Sequence, residues 1–376
     1  MLVLSTAGEQ PAGEELRRLI AEDVIPDAML AEDAFEATSL DDRDLADIPG
    51  LHGRTLRHLP LPIALALEAW WRRRDFDVVL SWTERLGFSL AVLLSLTPRR
   101  RMGHIAILMW PVKASSSSRL KRVIKKTVFP LLARHGMDRL VIPAPRQRKL
   151  VIERWRIPAE RVVAAKWTVD TRFWHPVQGT GETICSVGRE MRDYGTLIEA
   201  LRLLEVPCHI ATGASVLNPV SRSDDPRASN VSAQALPAGV TSGHKSAVEL
   251  RELYGRSRLV VVPLMPTETD NGTTAILEAM AMGRAVIITA TGGRTEILED
   301  EVNCVLVPPR DPGALRAVIE ELWKDPDRCA QLGAEGRKRV VAEHSIDQWL
   351  TAIRDAAADV ASARRLANHD DRLTKV

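Results

Sequence analysis

Cysteine is scarce in this chain of 376 residues: Cys185, Cys208, Cys304 and Cys329 lie far apart, with no Cys-x-x-Cys pair and no histidine cluster near them. That argues against a disulfide framework and against a zinc site, and it suits a reducing cytoplasm. No run of about 20 apolar residues is present to span a bilayer. The nearest approach, Leu59–Trp71, is short and contains Glu68, and the opening run Met1–Leu4 is too short for a signal peptide, so a cytoplasmic protein is expected. No Gly-x-Gly-x-x-Gly follows a strand at either domain start, which speaks against a nicotinamide dehydrogenase. Asp41-Asp42-Arg43-Asp44 has the spacing of a metal-binding Asp-x-Asp but sits in an acidic stretch, Ala21–Asp47, so neither a resident metal nor another cofactor is expected. Aromatic residues do not alternate with basic ones, and a formal net charge of +2 does not imply nucleic acid as a partner. The cations are nonetheless clustered, at Arg72–Arg74, Arg99–Arg101 and Arg119–Lys126.

What the sequence does contain is alternation. Short β-branched runs follow amphipathic stretches along both halves, the pattern of parallel sheets covered by helices. Strands are expected at Leu2–Ser5, Val78–Trp82, Ile105–Met109 and Leu140–Pro143, then at Thr183–Val187, His209–Thr212, Leu259–Pro263, Val286–Thr289 and Val305–Val307. Residues 1–170 and 171–345 therefore read as two α/β domains, each long enough to bury its own core. Most of Ser215–Gly243, rich in Ser, Asn and Pro, reads as an exposed loop. Residues 346–376 read as a terminal helix and tail: Ser345-Ile346-Asp347-Gln348 has the form of a capping box, and Trp349, Leu350, Ile353, Ala357 and Val360 line one face beyond it.

The segment Asp270-Asn271-Gly272-Thr273-Thr274-Ala275-Ile276-Leu277-Glu278 through Gly283 lies between two apolar strand-like runs. A strand, a small-residue loop and a helix present backbone N–H groups to a phosphate at the helix start. Gly272 permits close backbone approach, and Thr273 and Thr274 add hydroxyls and N–H groups suited to a diphosphate. Glu278 falls one to two turns further on, roughly 6–9 Å along the axis, beyond the phosphates but within reach of a ribose diol. Asp270, ahead of the helix, would face sugar hydroxyls. The plainer reading makes Glu278 an exposed polar residue of an amphipathic helix and Gly283 its C-cap.

In this setting the segment resembles the donor-sugar signature of family 4 glycosyltransferases, which are retaining enzymes of the two-domain GT-B fold. The family's Glu-x7-Glu stands here as Asp-x7-Glu, with Glu268 a nearby substitute for the first acid. Val187-Gly188-Arg189 is similar to the family's Val-Gly-Arg, whose arginine pairs with the donor diphosphate through its bidentate fork. Five residues beyond that arginine the family has a lysine; this chain has Tyr194, with Arg192 as candidate second cation or, alternatively, a solvated surface residue. Gly292–Leu298 resembles a Gly-Gly-x-x-Glu-Ile turn, and Asp170–Pro176 an interdomain hinge packed by Phe173 and Trp174. The resemblance covers roughly Arg161–Leu350. It implies two Rossmann-like domains facing across a cleft, a C-terminal helix crossing back to the first, catalytic roles for Asp270, Arg189 and Glu278, and donor binding by Gly188, Arg192, Asn271, Gly272, Thr273 and Thr274.

The first half matches poorly. Its loop Ser5–Gly13 has only Gly8 and Gly13 where relatives have a Gly-rich turn, and no histidine stands at the strand tip Leu108-Met109-Trp110. His104, at the other end of that strand, is expected on the surface. Trp82, Thr83 and Glu84, past another strand end, are the candidates for the acceptor pocket. Arg119–Lys126 interleaves cations with Leu120, Val123 and Ile124. It is a candidate for peripheral contact with anionic lipid at the inner membrane face, or a plain solvated cationic face. The expected activity is transfer of a sugar from a nucleotide diphosphate sugar (UDP or GDP) to a sugar, lipid-linked or small-molecule acceptor. A sugar-nucleotide epimerase and a non-catalytic nucleotide-sugar-binding scaffold are the alternatives.

Overall fold

The computed structural model describes residues 1–6, 13–27, 34–98, 100–109, 124–212, 235–293 and 296–373. The chain forms two compact units, the first from Met1–Gly8, Met29–Lys166 and Asp347–Val376, the second from Glu9–Ala28 and Trp167–Ile346. Each unit is built on a parallel six-stranded sheet. The first contains β1 (Leu2–Leu4), β2 (Thr38–Leu40), β3 (Val78–Ser81), β4 (Gly103–Ile107), β5 (Arg139–Val141) and β6 (Val162–Val163), in the order β2-β1-β3-β4-β5-β6. The second contains β7 (Thr183–Val187), β8 (Cys208–Ala211), β9 (Val240–Gly243), β10 (Ser257–Val262), β11 (Ala285–Thr289) and β12 (Val305–Val307), in the order β12-β11-β10-β7-β8-β9. Read from β9, the second order is the Rossmann order 3-2-1-4-5-6. The central strands are buried throughout, β3 and β11 at every residue, as a sheet covered on both faces requires.

Every expected strand is present. Three more were not foreseen, β2, β6 and β9, all short edge strands. β9 takes up the last four residues of Ser215–Gly243, most of which reads as loop and whose residues 215–234 lie outside the described residues; with Val240 buried and Thr241 and Ser242 exposed, it carries almost no apolar signal. The Asp-x-Asp look-alike has a local explanation. Asp41 caps the helix Asp42–Asp47, accepting from Arg43 N at 2.8 Å, while the Asp44 carboxylate accepts from Asp41 N at 2.7 Å. The basic run's Arg119–Val123 and the candidate Gly8 lie outside the described residues.

The C-terminal helix, Ile346–Leu373, packs on the first unit's sheet as expected. Trp349, Ile353, Ala356 and Val360 are buried among Val3, Val78, Leu80, Ile105, Ile107 and Val141. Each large side chain so buried contributes about 1.5–3 kcal/mol. Further along the helix Arg364 pairs with Asp138, which also accepts from Arg100 Nη2 and His104 N, both at 2.7 Å. Burial alone would push the Asp138 carboxyl up, but Arg100 and Arg364 hold it below the ordinary carboxylate range.

His104 is not on the surface: it is 0% exposed on β4, Nδ1 donating to Gly136 O and Nε2 accepting from Ser81 Oγ, each at 2.8 Å. Burial lowers its pKa from 6.5 to about 4. The unfolded chain takes up that proton near pH 6.5 and the folded one resists it, so the contribution is complete above pH 6.5 and is lost as pH falls toward 4. The loss is about 3 kcal/mol at most. Urea melts between pH 4 and 7 should show this slope as a difference between the wild type and His104→Asn, the variant lacking the rise in stability with pH that His104 contributes; equal slopes would place the acid sensitivity elsewhere.

Candidate functional site

In the second unit the chain runs outward from β7 through β8 to β9 on one side, and from β10 through β11 to β12 on the other. The switch point lies between β7 and β10, whose register pairs Val260 with Cys185. Ligands of open α/β sheets bind beyond the carboxyl ends of strands at such a point. Here those ends lead into Gly188–Asp193 and Pro263–Gly272, and the two loops are joined backbone to backbone. Asp193 N donates to Pro263 O at 3.0 Å and Met265 N to Met191 O at 2.9 Å.

Arg192 anchors this junction. Its Nε donates to Val187 O and its Nη1 to Glu190 O, both at 2.9 Å. The guanidinium occupies space that Gly188 (φ +112°) leaves, where a Cβ would collide with it, and it lies alongside Gly272 (φ +85°), where a Cβ would sit in ordinary contact 3.6 Å from Nη1. Arg192 is therefore a buried cation at the base of the candidate donor loop, which rules out the surface alternative. Burial pulls its pKa down, opposed by Tyr194, Tyr254, Glu190 and Glu278 nearby. Tyr194, at the position of the family's lysine, is buried and donates to Gly188 O at 2.5 Å. Arg189 is partly exposed on the same loop.

The helix Thr273–Ala281 starts from Gly272 without a side-chain cap. Its neighbours in this unit differ: the helices from Tyr194, Ala247, Pro312 and Pro326 are capped by Asp193, Ser246, Asp311 and Asp325. An uncapped helix start at a sheet's switch point suits an anion. Thr274 is exposed there, whereas Thr273 is buried with its hydroxyl donating to Asp270 O at 2.7 Å. Asn271 turns back into the loop, Nδ2 donating to Thr269 Oγ1 at 2.6 Å and Thr267 Oγ1 at 3.1 Å. The turn at Gly292–Gly293 braces the same loop through Gly293 N to Thr267 O at 3.1 Å.

Both acids are enclosed. Asp270 is 7% exposed and accepts from the indole N–H of Trp167, and Glu278 is 8% exposed and accepts from Tyr254 Oη at 3.1 Å. The reading of Glu278 as an exposed helix residue is thus corrected. Burial raises the Glu278 pKa to about 8, with the Tyr254 bond and the Arg192 charge working against the rise. Tyr254 is itself raised well above the usual phenol value by burial and by Glu278. Trp167 and Tyr254 were not foreseen from sequence. Tyr254 rests edge-on against Trp174, 5.7 Å between ring centroids, so the hinge residue expected to pack does so beneath this site.

The first-unit candidates have structural contacts. Trp82 packs on Trp349 with ring centroids 5.4 Å apart, and Thr83 Oγ1 accepts from Leu86 N at 3.4 Å as the cap of helix Glu84–Ser95. Glu84 is partly exposed in that helix's first turn. Gly13 falls instead in the second unit, where it begins the helix Gly13–Ala21, and beyond that helix Asp27 N donates to Asp170 Oδ2 of the same unit at 2.7 Å.

Comparison with known proteins gives the same family for this region. The family model described as glycosyl transferases group 1 matches residues 173–339. A D-inositol 3-phosphate glycosyltransferase of Xylanimonas cellulosilytica is 32% identical over 117 residues, 31% of this chain and 28% of that protein. The matched part spans less than about a third of the length of such curated relatives. A sucrose-phosphate synthase of Thermosynechococcus elongatus has a TM-score of 0.68 at 18% identity, covering 96% of this chain and 99% of its own. Anabaena Alr3699/HepE, in complex with UDP-glucose, has 0.64 at 15% identity over 96% and 99%. These likenesses are of fold, the paired Rossmann-like units of GT-B glycosyltransferases. The match lies over the donor loop and the Val-Gly-Arg strand end, so the similarity to glycosyl transferases group 1 extends over residues 173–339 of this chain.

Proposed function

We propose that the protein transfers a sugar, with retention of anomeric configuration, from a nucleotide diphosphate sugar to an acceptor hydroxyl, in polysaccharide, glycolipid or glycoconjugate assembly. The observation that carries this reading is Glu278, buried on a helix whose uncapped start lies at the sheet's switch point. The diphosphate would sit on the N–H groups of Thr273 and Thr274 with Arg189 beside it, and the ribose diol would donate to Glu278. Asp270, oriented by Trp167, would face the transferred sugar. The bond from the anomeric carbon to the diphosphate breaks while the acceptor oxygen bonds to the same face. The acceptor proton passes to the departing phosphate oxygen, and the helix start and the arginines stabilise the developing charge. UDP is the favoured nucleotide because Alr3699/HepE binds UDP and UDP-glucose on the same fold.

The test is thermal unfolding with a panel of UDP-, GDP-, ADP- and TDP-sugars, followed by nucleoside diphosphate release in the presence of acceptors. One donor class should stabilise the protein by about 2.7 kcal/mol at a hundredfold excess over Kd. No stabilisation by any donor would sink the proposal. Turnover of the donor without an acceptor would turn it into an epimerase.

A further inference from the structure

The strand order of the first unit reverses between β1 and β3, so a ligand of that sheet belongs beyond their carboxyl ends, at Ser5 and Trp82. A cavity of about 390 Å³ lies at the opposite edge. Its lining comes from the segments that lead into β3 and β4: Arg73 and Arg74 before Val78, and Thr97, Arg100 and Arg101 before Gly103. β3 is four residues long, so the two edges stand about 10 Å apart along it. The cavity is therefore separate from the acceptor pocket expected at Trp82, Thr83 and Glu84.

Four arginines line this space and no carboxylate does. Two of the four have structural work. Arg73 lies over the Trp70 ring at 3.9 Å and donates to Trp70 O at 2.9 Å, at the end of helix Leu61–Trp71. Arg100 is buried and donates from Nη2 to both Asp138 oxygens, at 2.8 and 2.7 Å. Asp138 also pairs with Arg364, so its single charge does not neutralise the cavity as well. Burial pulls the Arg100 pKa down; Asp138 opposes the fall, and Arg364 and Arg161 add to it. Arg74 and Arg101 are exposed and pair with no carboxylate among the described residues. A helix dipole is felt over its last turn only, and Arg101 stands well past Ser95, where helix Glu84–Ser95 ends. Like charges gathered around one concavity repel, and the field they focus attracts an anion.

We infer that this cavity binds a small soluble anion bearing phosphate groups, at a site distinct from that of the sugar donor. Planar guanidinium forks match phosphate oxygens, and Arg74 and Arg101 supply two that no acid engages. A volume of about 390 Å³ is near the lower end for small-molecule sites, which fits a phosphorylated metabolite rather than a polymer. The probe is inorganic pyrophosphate, titrated calorimetrically into the wild type, R74Q/R101Q and R189Q at low and high salt. The wild type should bind it, and salt should weaken the binding. R74Q/R101Q should lose at least about tenfold in affinity at this site, whereas R189Q, altered in the candidate donor loop, should retain it. Phenylglyoxal labelling read by peptide mass should show Arg74 and Arg101 protected by pyrophosphate. Both positions are exposed, so ligand-free R74Q/R101Q should melt at or above the wild-type temperature, which separates a lost site from misfolding. Absence of pyrophosphate binding would overturn the inference. Binding lost in R189Q and untouched in R74Q/R101Q would do the same, because the donor loop would then be the anion site. Protection of the two arginines by phosphatidylglycerol vesicles and not by pyrophosphate would also overturn it, the phosphate recognised then being a headgroup.

Discussion

Glu278→Gln is expected to make the ligand-free protein more stable at pH 8 and above while abolishing its response to a nucleotide sugar. Burial raises the Glu278 pKa from 4.5 to about 8. A carboxyl that holds its proton more tightly when folded adds stability below pH 4.5, and that stability is lost as pH rises toward 8. The loss is on the order of 5 kcal/mol at the upper bound, since relaxation and water entry reduce it. Glutamine does not titrate and should flatten this slope. His104 titrates in the opposite sense, so between about pH 4.5 and 6.5 the two slopes oppose, and above that range the Glu278 slope stands alone. Urea melts from pH 4 to 9 on the wild type and both single variants therefore separate them. The same carboxylate would accept the ribose diol when ionised, so donor affinity should climb up to about tenfold per pH unit below 8 and level above it. A residue kept at a cost to the free protein fits a binding role. Should Glu278→Gln keep wild-type donor affinity, the ribose contact lies elsewhere.

The sheet cores and the donor helix were legible because their signals are local. Continuous apolar runs mark β10 and β11, and Gly272 followed by Thr273 and Thr274 marks the helix start. The site's surroundings were not legible, because its contacts are distant in sequence. Tyr254 and Glu278 are 24 residues apart and Trp167 and Asp270 are 103 apart; nothing in the short motif names either partner. Arg192 looked ambiguous for a related reason. Its guanidinium fills space left by Gly188, and a glycine in sequence does not say what will occupy the space it leaves. His104 was placed on the surface because it neighbours Arg101, but β4 puts its ring toward Ser81 and Gly136 inside the unit. Asp42-Arg43-Asp44 has a metal-like spacing, but Asp44 serves with Asp41 in the capping box of a helix start, a case where turn chemistry outweighs a motif.

Arg192→Met should reduce kcat/KM by about a thousandfold, roughly 4 kcal/mol of transition-state stabilisation. Methionine keeps much of the volume between Gly188 and Gly272 but loses the fork that holds Val187 O and Glu190 O. It also removes the cation that favours ionised Glu278, so that carboxyl should move further up and donor binding should need a higher pH. Arg192→Lys separates the two roles: the charge remains and the Glu278 titration should return toward wild type, while the loop junction and the rate should not. If Arg192 acts through Glu278, the two residues are coupled. The double variant R192M/E278Q should then be less impaired in donor binding than independent effects predict, by about 1–3 kcal/mol. Additive losses would mean that Arg192 shapes the Gly188–Asp193 loop without tuning the acid. Activity within about tenfold of wild type in Arg192→Met would remove this arginine from the donor site, leaving Arg189 and the start of the helix Thr273–Ala281 to hold the diphosphate.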